Sequence, residues 1–66
     1  MITPDHVIRK IRKHGSESLS FNERVFVVEV FRAAALTGRE EVVMVKHDIQ
    51  RAHLEYCLSL SEAQKK

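Results

Sequence analysis

The chain has 66 residues, 44% of them apolar and 30% charged, with a net charge of +2. A chain of this length makes one domain and buries only about 60% of the surface that its unfolded form exposes, so an extra staple is expected. The single cysteine, Cys57, excludes an intrachain disulfide, no apolar run approaches the roughly 20 residues that span a bilayer, and the lack of a secretion signal fits a cytoplasmic location.

With those staples set aside, oligomerisation is the one the sequence points to. The charge is unevenly placed. Residues 1–14 carry Arg9, Lys10, Arg12 and Lys13 against Asp5 alone, a local excess of +3, and the remainder is slightly acidic. Such a patch suits an acidic protein, nucleic acid or plain solvent.

The first expected helix spans residues 4–14. Thr3 caps it, Pro4 suits its first position, and Asp5 meets the positive end of its dipole. Ile2 and Val7 occupy staple positions, and Val7, Ile8 and Ile11 form a narrow apolar stripe among basic residues. Gly15 ends the helix by accepting a left-handed conformation. Residues 15–19 read as a polar connection.

Ser20-Phe21-Asn22-Glu23 is a capping box that opens a second helix over residues 21–36. Its stretch from Val25 to Leu36 is apolar at ten of twelve positions. The run Val-Phe-Val-Val-Glu-Val-Phe has strand propensity. The box in front, Ala33-Ala34-Ala35 behind and the lack of alternation decide for helix. Phe21, Val25, Val28, Arg32 and Ala35 share one face, and Arg24, Val27, Phe31 and Ala34 the next. Glu23, Glu29 and Arg32 leave only a narrow wet strip. A chain this small does not cover both sides of such a helix, so a second copy is expected against it.

Gly38 closes the second helix, and Thr37 with Glu40 forms a capping box for a third over residues 39–60. So tight a joint makes an antiparallel helical hairpin. Val42, Val45, Ile49, Ala52 and Tyr56 recur at alternating spacings of three and four, a heptad seam. Residues 61–66 read as a frayed polar tail. The expected architecture is all-α: a short leading helix as an outer brace on a hairpin, dimerised into a helical bundle. Val25, Val28, Phe31, Val45 and Ile49 are its core and interface residues.

No motif specifies a reaction. The four histidines never show the spacing of a zinc-protease helix, and His53 with Cys57 supplies two ligands where a structural zinc needs four. Cys57, between Tyr56 and Leu58, reads as a small packed hydrophobe rather than a nucleophile. Both glycines fit helix ends, which leaves no phosphate-binding loop. No enzyme activity, metal or cofactor is therefore expected. Arg9, Lys10, Arg12 and Lys13 are the candidate partner-binding face. Their favoured target is a protein, with nucleic acid as the alternative, because no groove-reading helix pattern accompanies them.

The opening Met-Ile-Thr-Pro-Asp-His-Val-Ile-Arg-Lys-Ile-Arg-Lys-His-Gly, with the all-helical plan after it, resembles the short early proteins of lambda-like temperate phages, in particular those encoded between the exonuclease and excisionase genes. The resemblance covers the whole chain, rests on no diagnostic motif, and carries over no functional residue. It implies a small, non-enzymatic, dimeric helical protein that biases infection toward lysis over lysogeny and disturbs the host cell cycle.

Overall fold

A computed structural model describes residues 2–64. The described residues are helical without a strand: α1 Pro4–His14, a short 3-10 turn Ser16–Ser18, α2 Phe21–Thr37 and α3 Glu40–Gln64. No helix among them is long and apolar enough to cross a membrane.

Helix α1 begins as its sequence dictates. Thr3 Oγ1 accepts the His6 amide at 3.2 Å, Pro4 starts the helix, and Ile2 packs with Val7 in the core. Gly15 stops it at φ 83°, ψ 164°, a region open only to glycine. A β carbon there would lie 2.6 Å from Cε2 of the Tyr56 ring, so the turn and the packing of α3 depend on the same missing atom. Residues 15–19 are not merely a polar connection. Leu19 is buried and belongs to the core, while Ser18 Oγ donates to the Gly15 carbonyl at 2.7 Å and holds the turn.

Helix α2 opens on the expected capping box and closes, as expected, at Gly38 in the left-handed conformation, with Thr37 as its last helical residue, one past the expected end at 36. The second capping box does not form. Thr37 stays inside the last turn of α2, where its hydroxyl donates to the Ala33 carbonyl at 2.7 Å and accepts the Arg39 amide at 3.3 Å. Helix α3 starts at Glu40 and continues four residues past the expected end at 60. Ser61-Glu62-Ala63-Gln64 contains no breaker, so nothing stops the propagating ladder. The frayed tail expected over 61–66 is thus helical to Gln64, and 65–66 lie outside the described residues.

The core sits where α1 and α3 meet. Val7, Ile11, Leu19, Ile49 and Ala52 form its buried cluster, with Phe26, Val27, Val30, Phe31 and Val45 packed around it. Val7 and Ile11 are the largest fully buried side chains, so α1 is a central element and not the outer brace expected from its length. Its contact with α3 is more extensive than that of α2. The seam Val42, Val45, Ile49, Ala52, Tyr56 faces inward throughout, but its partners are α1 and α2 of the same chain.

Replacing Ile11 by alanine is expected to cost about 2–5 kcal/mol, a large share of the roughly 3–10 kcal/mol available to a domain of this size. Urea titration followed by circular dichroism measures it, and an unchanged midpoint rules out the core described here. Gly15→Ala is expected to lower stability by at least about 1–3 kcal/mol from backbone strain alone, read by the same titration.

Candidate interaction surface

The basic residues of α1 are only partly free. Residues 6 and 10 lie one turn apart on the side of α1 that meets the start of α2. There the Glu23 side chain is buried, 4% exposed, and is the receiving group of a four-membered clamp. Its Oε1 accepts Lys10 Nζ at 2.8 Å and the Ser20 amide at 2.7 Å. Its Oε2 lies 2.7 Å from His6 Nε2, which must donate because an ionised carboxylate only accepts. The Ser20 hydroxyl accepts the Glu23 amide in return at 3.3 Å.

Glu23 is thus not part of a wet strip. Its capping role leaves the carboxylate pointing back over the first turn of α2, into the space α1 covers. The Lys10 ammonium, then the Ser20 amide, hold its pKa at about 2 instead of 4.5, against the opposing effect of burial.

Of the other three cations, Arg12 Nε donates to Glu55 of α3 at 2.8 Å, and Arg9 pairs with Asp5 on its own helix at 3.0 Å. Both pairs are exposed, each worth at most about 1 kcal/mol. Lys13 has no acidic partner among the described residues. The candidate face Arg9, Lys10, Arg12, Lys13 therefore divides: Lys10 and Arg12 brace α1 on its neighbours, Arg9 faces outward paired with Asp5 of its own helix, and Lys13 faces outward with no acidic partner among the described residues.

The apolar candidates divide as well. Ile49 is 4% exposed and lies within the chain's own core, and Phe31 and Val45 are half-buried against it. Ile49 is therefore a core residue of the single chain. The heptad seam is occupied by α1 and α2 of the same chain. Val25 and Val28 point outward, and Phe21 (79% exposed), Val28 (63%) and Leu36 (75%) form an apolar ridge along the far side of α2. Composition marked this helix as two-sided. The wheel position of Leu36, one residue past Ala35, was the signal that sequence reasoning passed over.

Two smaller features remain. An apolar recess of about 320 Å³ opens beside Ile11, Leu19, Val27, Phe31 and Ile49. On α3, Cys57 is exposed and not packed, with Sγ 3.7 Å from His53 Nε2, and Ser16 Oγ 3.1 Å from His53 Nδ1. No group of three or more His, Cys, Asp or Glu among the described residues is placed to hold a metal ion. Compared with known protein families, curated proteins and solved structures, the chain matches none.

The Glu23 clamp has a definite pH signature. A carboxyl whose pKa is lowered by folding contributes fully above its unfolded value and loses that contribution as pH falls through the folded one. Stability is expected to decline between pH 4.5 and about 2 from this group. Glu23→Gln should melt below wild type at neutral pH, with the gap closing across that window. Parallel melting profiles for the two proteins exclude the clamp.

Proposed function

We propose that this protein is a small non-enzymatic interaction module. In this reading α2 and α3 form a helical hairpin, two copies pair into a bundle, and the dimer binds a host or phage regulatory protein. The resemblance to lambda-like early proteins adds the setting, a bias of infection toward lytic over lysogenic development.

The observation that carries the reading is the apolar ridge of α2. A monomer gains nothing from leaving Phe21, Val28 and Leu36 in water, and apolar ridges of this kind mark surfaces meant for another protein. Arg9 and Lys13, together with the recess beside Phe31, stay open for the further partner once the ridge is covered. A nucleic-acid role for α1 draws less support from the geometry than from the sequence. Lys10 and Arg12 already neutralise Glu23 and Glu55, which reduces the counterion release that phosphate contacts would bring.

Sedimentation equilibrium at micromolar concentration is expected to give a dimer, and a well-folded monomer overturns the reading. A gel shift with random duplex at low salt should show no complex. A shift that weakens steeply with salt favours the nucleic-acid role instead.

A further inference from the structure

We infer that the second copy docks on the outer ridge of α2, helix against helix and antiparallel, locked by reciprocal Glu29–Arg32 pairs. The inference rests on the proposed self-association and adds which face is covered and in which direction.

The area argues for a partner of substantial size. The chain exposes 5303 Å². A compact monomer of 7.6 kDa exposes about 4300 Å². The difference, on the order of 1000 Å², is comparable to the roughly 800 Å² that each partner contributes to a stable interface. The large apolar side chains left exposed among the described residues all lie on α2 or α3.

Apolar continuity then separates the two helices. On α3 the outward stripe runs Met44, His47, Arg51, Leu54, Leu58, at spacings of three and four. Two of its five positions, His47 and Arg51, are polar, with Asp48 flanking Arg51 one turn earlier. On α2 the ridge Phe21, Val25, Val28, Leu36 is interrupted only by Arg32, and Glu29 flanks it one turn earlier. Both are exposed, and neither has an ion-pair partner among the described residues.

Direction follows from the same two residues. A parallel pair of α2 helices stacks Arg32 on its own copy in the middle of the ridge. An antiparallel pair about a two-fold axis between residues 30 and 31 brings Arg32 level with Glu29 of the second copy, twice by symmetry. The same register sets Val25 beside Leu36 of the second copy, so apolar contacts flank the ion pairs on both sides. Such complementarity contributes to specificity and orientation as well as to affinity.

Charge reversal tests this directly. Glu29→Arg and Arg32→Glu are surface changes, and matching thermal melts at low protein concentration confirm that each variant folds. Each alone is expected to weaken the homodimer about tenfold or more, by placing like charges opposite each other. An equimolar mixture of the two should recover wild-type association as a heterodimer. In a Cys57→Ser background, Val25→Cys mixed with Leu36→Cys should oxidise to the mixed disulfide, whereas a Val25→Cys homodimer disulfide indicates parallel helices and overturns the direction. A wild-type dimer unaffected by both reversals overturns the docking face and leaves the proposed function standing. A wild-type monomer overturns both.

Discussion

Glu23 ties the start of α2 to one side of α1, and the rest of the arrangement follows from that tie. The carboxylate satisfies the Ser20 amide at the helix end, so its charge is anchored within α2 itself. Lys10 and His6 then find a fixed acceptor one turn apart. The tie turns the Val7–Ile11 stripe of α1 toward α3 and leaves Arg9 and Lys13 facing out. A buried carboxylate without these donors would be a liability, because an uncompensated charge inside a small core is costly. With them, it orders two helices at a joint where the chain has little apolar surface to spare.

The second constraint is the uniform apolar character of α2. A helix in a monomer needs one apolar face, and α2 has two. The inner one, with Phe26, Val27, Val30 and Ala34, packs toward the core. The outer one has no role within the chain. With no family model, curated protein or solved structure matching the chain, this excess surface is the main functional clue.

Much of the fold was legible because helix ends carry local chemistry. Thr3-Pro4-Asp5, Gly15, the Ser20–Glu23 box and Gly38 mark their boundaries with side chains that act within a few residues, so no tertiary knowledge is needed. Failures occurred where the decisive partner is distant in sequence. Glu23 looked fully employed as a cap, and its burial depends on a helix 13 residues upstream. Leu19 was the one apolar residue in a polar stretch, and its burial comes from the cluster that Val7 and Ile11 of α1 form with Ile49 and Ala52 of α3. Cys57 was judged by its sequence neighbours Tyr56 and Leu58, although adjacent residues on a helix point about 100° apart. Of the apolar candidates, Val25 and Val28 lie on the exposed ridge, whereas Ile49 is buried beside Val7 and Ile11 of α1, whose short stripe gave no sign of how deeply it inserts.

The pairing of α1 with α3 also makes the fold depend on contacts distant in sequence. Arg12 and Glu55, 43 residues apart, mark how far the chain must extend before its first helix meets its main support. Helix α1 stays marginal by itself, since eleven residues hold a helix poorly in water. Its apolar side gains its main cover from residues far along the chain. Contacts this distant in sequence make the closure of α1 on α3 the slow, non-local part of the fold, in contrast to the local ladders of the single helices.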